Sequence, residues 1–157
     1  MIELVLTMTL LGIIAAVGSV TMMPALNSWI LGSVRTSTTN TATYAMDRLL
    51  SEIGGLKDKK SVVAASATSF QFVDAGNNNI TFNLANGNLM RNNNILARGV
   101  SGLTFTYWDV NQATVANPTV SPADTNIWRI GVQLTSQVSN QTIRMESEIH
   151  PRNLART

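Results

Sequence analysis

The chain has one histidine, His150, and no cysteine among its 157 residues, and these two counts remove several kinds of site chemistry at once. Without thiols there is no disulfide staple, no cysteine zinc site, no iron–sulfur ligation and no c-type haem attachment. A lone imidazole cannot build a multi-histidine metal cluster, and a Ser–His–Asp triad would have to use His150 beside Pro151 near the tail. Asp74-Ala-Gly-Asn77-Asn-Asn79 opens like a calcium loop, but position 85, where a bidentate acid should close it, is alanine; a polar turn is expected instead. Tyr107, Trp108 and Trp128 could make a ligand platform, although aromatic residues on strands more commonly build core or interface. Asn79-Ile-Thr81 and Asn140-Gln-Thr142 match the glycosylation sequon within an Asn-rich composition. No catalytic residue, metal ligand or cofactor is assigned, and no enzyme is expected. A net charge of +2 is too small for a general nucleic-acid footprint, so no nucleic-acid partner is expected.

The one acid with unusual surroundings is Glu3. After it no ionisable side chain occurs until Arg35. A bilayer core needs about 20 apolar residues in helix, and Leu4–Met23 supplies them, with Pro24 the first strong breaker. Only Thr7, Thr9, Ser19 and Thr21 dilute the run, and helical hydroxyls can bond to the carbonyl one turn back. A buried helix of a soluble core would show a polar stripe, and this run has none. A signal peptide would need a cationic start, whereas the sequence reads Met-Ile-Glu. For a signal anchor, Arg35 and Arg48 would hold the rest of the chain in the cytoplasm. The economical expectation is a processed chain, or one that starts here at an internal Met, whose lost basic leader once carried the orienting charge.

Within this run Gly12, Ala15, Ala16, Gly18 and Ser19 cluster, and small residues let helix backbones approach closely in apolar surroundings. Gly18 and Pro24 both weaken a helix, by about 1 and about 3 kcal/mol relative to Ala, so a bend or melted turn between them is expected. Glu3 has no Lys or Arg within helical reach. An isolated carboxylate in apolar packing is costly unless neutralised, so it needs an amine of its own or an adjacent chain, or the favourable end of the helix dipole.

Beyond Pro24 the pattern becomes one-sided, with Leu26, Ile30 and Val34 and then Met46, Leu49, Leu50 and Ile53 at helical spacing. Gly54-Gly55 ends it, with Lys57, Lys59 and Lys60 just past the negative end of the dipole. A helix of about 50 residues would be roughly 75 Å long, so its first half is expected to protrude. From Ser61 on, short alternating runs at Ser69–Asp74, Asn79–Ala85, Asn88–Arg91, Leu103–Val110, Ile127–Val138 and Thr142–Ile149 read as strands. Asn86-Gly87 is the preferred pair of a type I′ hairpin turn, Ser139-Asn140-Gln141 a weaker one, and Asn111–Asn126, with Pro118 and Pro122, a long loop. Phe70, Phe72, Ile80, Phe82, Leu84, Leu103, Phe105 and Tyr107 should face the amphipathic half-helix. The expected organisation is an apolar membrane or assembly half-helix over 1–24, an amphipathic half-helix over 25–56 and an antiparallel β-sheet head over 57–157.

Met1-Ile2-Glu3-Leu4-Val5 followed by Leu10-Leu11-Gly12-Ile13-Ile14-Ala15-Ala16-Val17 resembles the N-terminal signature of bacterial type IV pilins and pseudopilins. The match covers roughly the first 20 residues. The family pattern usually opens with Phe-Thr before such a run, two residues that do not precede Met1, and its helix-breaking proline usually lies nearer the glycine than Pro24 does. Val100–Asp109 and Glu146–Leu154 are more weakly similar to J-type minor pseudopilins and related minor pilins. The resemblance implies an α+β, pilin-like fold, a long N-terminal helix whose C-terminal half packs on an antiparallel sheet. It implies leader removal by a prepilin peptidase, methylation of the new N-terminus, which would map to Met1, and an inner-membrane assembly platform as partner. It implies a Glu3 contact with a neighbour's amine, and Glu3, Gly12, Ala15, Ala16, Gly18 and Pro24 as assembly residues. The expected protein is a structural subunit of a pilus-like helical filament made of its own copies, stored in the inner membrane and displayed at the cell surface. The alternatives are a minor subunit of a type II secretion system or pilus tip, and a membrane-anchored binding module.

Overall fold

The computed structural model describes residues 1–115, 127–138 and 141–154. Helix α1, Ile2–Gly54, is followed by strands β1 (Val62–Ala65), β2 (Ser69–Val73), β3 (Asn79–Ala85), β4 (Asn88–Arg91), β5 (Asn94–Arg98), β6 (Val100–Trp108), β7 (Arg129–Val138) and β8 (Gln141–Ile149). This is an α+β architecture: one long N-terminal helix, then antiparallel sheets. The chain divides into two compact units, Met1–Ser37 and Thr38–Thr157.

The second unit holds the core. From its helical part, Ala42, Ala45, Met46, Leu49 and Ile53 are buried, with Leu50 partly so. These positions recur at three- and four-residue steps, which puts them on one helix face. Fully burying one Leu, Met or Ile side chain contributes about 1.5–3 kcal/mol, enough to hold a Thr-rich segment of poor intrinsic helicity. The buried stripe starts at Ala42 and not at Leu26, for Leu26, Ile30 and Val34 stay 45%, 51% and 47% exposed. Gly54 closes α1 where expected: Gly55 N–H donates to Ser51 O and Glu52 O, and Leu56 N–H to Ile53 O.

The strands form two antiparallel sheets, β1-β2-β3-β4-β5 and β6-β7-β8. Phe70, Phe72, Ile80, Phe82 and Leu89 of the larger sheet and Leu103, Phe105, Tyr107, Ile130, Val132 and Leu134 of the smaller one are buried. Phe70 touches Phe72, Phe105 and Tyr107 at ring-centroid distances of 5.3, 5.8 and 5.9 Å, so one aromatic cluster joins the sheets. Asn86 and Gly87 have φ of 51° and 70°, the positive pair a type I′ turn requires, and they join Ala85 to its partner Asn88. Sequence periodicity misses β1 and β5 because Val-Val-Ala-Ala and Asn-Ile-Leu-Ala-Arg do not alternate apolar with polar residues, whereas the equally short β4 is marked by the Asn86-Gly87 turn before it. Glu52 ties α1 to β4: its carboxylate accepts from Arg91 Nε at 2.7 Å and also pairs with Arg48. The expected loop at Asn111–Asn126 and the Ser139-Asn140 turn lie largely outside the described residues.

Candidate functional site: the apolar helix

Residues Met1–Ser37 form the first unit by themselves. Every large apolar side chain in α1 from Ile2 to Leu31 is exposed, and the most apolar window of 18 residues is 0% buried. By length and composition α1 can cross a membrane. The hydroxyls of Thr7, Thr9 and Ser19 are satisfied inside the helix. Thr7 Oγ1 donates to Glu3 O at 3.0 Å and Leu4 O at 2.9 Å, Thr9 Oγ1 to Val5 O at 3.0 Å, and Ser19 Oγ to Ala16 O at 2.8 Å. Each hydroxyl thus loses its need for water; the side chain of Thr21 lies outside the described ones.

No melted turn separates Gly18 from Pro24, because α1 is helical throughout and carries Pro24 inside it. Proline removes one backbone donor, and the flanking Met22, Met23, Ala25 and Leu26 are helix formers good enough to carry the turn across it. With helix geometry continuous, the candidate residues can be placed by angle. Gly12, Ala15, Ala16 and Ser19 stand at i, i+3, i+4 and i+7 and share one face. Gly18 lies about 120° around from Gly12, and Glu3 roughly opposite it. The structure therefore unites Gly12, Ala15 and Ala16, sets Gly18 at the border of their face beside Ala15, and places Pro24 and Glu3 away from it. A Cβ built on Gly12, Gly18 or Gly32 would meet nothing within 4 Å, so nothing inside the described molecule demands glycine there. Among the described residues the Glu3 carboxylate forms no ion pair.

The residues set aside on sequence grounds are occupied structurally. His150 lies against Trp128 at a centroid distance of 4.1 Å, and its Nδ1 meets Trp128 O at 2.5 Å, the geometry of an Nδ1–H donor. Asp74 Oδ1 accepts from Asn78 N–H at 2.8 Å, and its carboxylate also holds the Asn78 side-chain amide. These bonds, the side-chain one foremost, hold its carboxyl below the usual range, and the segment is a polar turn. Trp108 is covered on one side by Arg129, 4.3 Å from the ring centroid, and Arg129 Nη1 bonds Glu148 Oε2 at 2.9 Å. A Cβ on Gly131 would come within 2.7 Å of the Trp108 ring, so glycine there is what lets the indole lie down on β7. Sequence reasoning had no signal for that pairing. Tyr107 is 2% exposed and donates its hydroxyl to Ser66 O at 2.8 Å, a core role. Among the described residues no group of three or more His, Asp or Glu could hold a metal ion.

Neither a protein-family model nor a curated protein sequence matches the chain.

Proposed function

We propose that this protein is a structural subunit of a type IV pilus-like helical filament, held in the membrane by its apolar helix and polymerised through that helix. The observation that carries the reading is the bare apolar surface of α1 from Ile2 to Leu31, in a chain whose second unit holds a buried core of its own. Moving such a helix from lipid into a bundle of like helices exchanges one apolar medium for another, so the hydrophobic term nearly cancels. Specificity must then come from close packing and from charge. The face of Gly12, Ala15 and Ala16 supports the first. Glu3, with no ion-pair partner among the described residues, supports the second, its partner being the N-terminal amine of an adjacent copy. Leader removal, methylation of the N-terminus and display at the cell surface belong to this reading. So does the choice between a major subunit and a minor one of a pilus tip or type II secretion system, which subunit stoichiometry in purified filaments decides.

The test is Glu3→Ala in the full chain, read by electron microscopy of sheared cell-surface material. Removing one partner of a desolvated ion pair costs about 3–5 kcal/mol, so filament yield should drop roughly a hundredfold or more while the protein stays folded in the membrane. Undiminished filaments would remove the role of Glu3. A protein that never polymerises, and whose head keeps a binding activity after the chain is trimmed before Asn27, would instead be the membrane-anchored binding module.

A further inference from the structure

The smaller sheet ends on β8, and backbone bonds elsewhere in that sheet reveal which of its groups face outward. Phe105 N–H donates to Ala67 O at 2.8 Å, and Tyr107 O accepts from Val115 N–H at 2.9 Å. Both residues of β6 therefore direct their backbone groups away from β7. In an antiparallel ladder that direction alternates residue by residue, so their partners Val132 and Ile130 turn towards β8. The register Ile130↔Ile149, Val132↔Ser147 and Leu134↔Met145 then commits Ile143, Met145, Ser147 and Ile149 to β7. The N–H and C=O groups of Thr142, Arg144, Glu146 and Glu148 are left at the outer edge. The side chains of those same residues are exposed. Arg144 and Glu146 are paired only loosely along the strand, Nη2 to Oε2 at 3.6 Å, and are 61% and 63% exposed.

We propose that this edge pairs antiparallel with β8 of a second copy, about a two-fold axis through Met145. An unpaired edge is a template for another strand, and charges usually defend it. Here the charge order selects a register instead. With Met145 on the axis, Arg144 opposes Glu146 of the other copy, Glu146 opposes its Arg144, and Thr142 opposes its Glu148. All of these are residues with outward backbone groups, so each pair can exchange both N–H···O bonds. Opposite charges directly across a ladder stabilise it and like charges destabilise it. An axis at Arg144 would set Arg144 against itself, and one at Glu146 would set Glu146 against itself. The axis at Glu146 would also oppose Arg144 to Glu148, so of these three registers only the middle one combines full backbone pairing and complementary charge with no like charges face to face.

This contact is independent of the filament reading. A two-fold axis perpendicular to a sheet reverses every direction in the sheet plane, so paired copies have opposite polarity. Such pairing joins molecules or filaments side by side and does not supply the parallel contacts within one filament.

The experiment uses the full chain in detergent micelles and measures self-association by analytical ultracentrifugation. Arg144→Glu and Glu146→Arg should each weaken association roughly tenfold or more, because each places like charges across the axis twice. An equimolar mixture of the two variants should recover it, since a chain with Glu at both positions then meets one with Arg at both. The double variant R144E/E146R should recover it as well. Single variants that associate like the wild type, or a mixture no stronger than either variant alone, overturn the proposal. Amide exchange on the wild type needs no variant at all: the Thr142, Arg144, Glu146 and Glu148 amides should become protected as protein concentration rises. Exchange at those amides that ignores concentration overturns the proposal equally.

Discussion

Gly12→Ala separates what the helix needs by itself from what assembly needs, because the two effects have opposite signs. In the structure a Cβ at position 12 meets nothing within 4 Å, and α1 is regular there. Alanine should therefore stabilise the helix of the unassembled protein by about 1 kcal/mol, the difference in intrinsic propensity. In a bundle where another helix backbone approaches the Gly12, Ala15 and Ala16 face, the same methyl group fills occupied space. Overpacking of that kind costs about 1–3 kcal/mol, a loss of roughly 5- to 150-fold in assembly affinity. Gly32, also with nothing within 4 Å of a built Cβ, lies beyond Pro24 and away from that face. Gly32→Ala is the control, expected to raise helix stability without lowering assembly. Helicity on heating in detergent micelles, read by circular dichroism, gives the first quantity, and sedimented filament mass from sheared cells gives the second. If Gly12→Ala filaments form as well as wild-type ones, close backbone approach at this face is refuted. If Gly12→Ala lowers the helix melting temperature, the open space around Gly12 is refuted.

Two further expectations concern the second unit. Leu49 is 1% exposed and central to the helix stripe, so Leu49→Ala should destabilise the unit by about 2–5 kcal/mol, measured by denaturant titration of the β signal in detergent. Burial pushes the Tyr107 hydroxyl well above the ordinary tyrosine range, so the folded state keeps this proton after the unfolded chain has lost it. That stabilisation is complete below about pH 10 and declines as pH rises beyond it. Tyr107→Phe should cost about 0.5–1.5 kcal/mol at neutral pH through the lost bond to Ser66 O, and should flatten the alkaline loss of stability; an unchanged alkaline slope would contradict this assignment.

What the amino-acid order settles is what repeats over short distances. The charge-free run after Glu3 is legible because membrane length is a property of composition. The stripe through Met46, Leu49 and Ile53, the alternation of Phe70 with Phe72 and of Phe105 with Tyr107, and the Asn86-Gly87 turn are legible for a related reason: the periods 3.6 and 2 and the left-handed turn are set by adjacent residues. The face shared by Gly12, Ala15 and Ala16 follows from the same arithmetic once α1 is continuous. That continuity through Pro24 was not legible, since propensity counts a proline's cost without counting the helix formers around it. The division into two sheets, the short strands β1 and β5, the start of the buried stripe at Ala42, the bond from Arg91 to Glu52 and the indole lying on Gly131 were decided by tertiary structure. Each depends on which distant segments become neighbours, and no local period carries that information. The outward edge of β8 belongs to the same class, because it took bonds from Ala67 and Val115 to β6, two strands away, to determine which way Arg144 and Glu146 present their backbone.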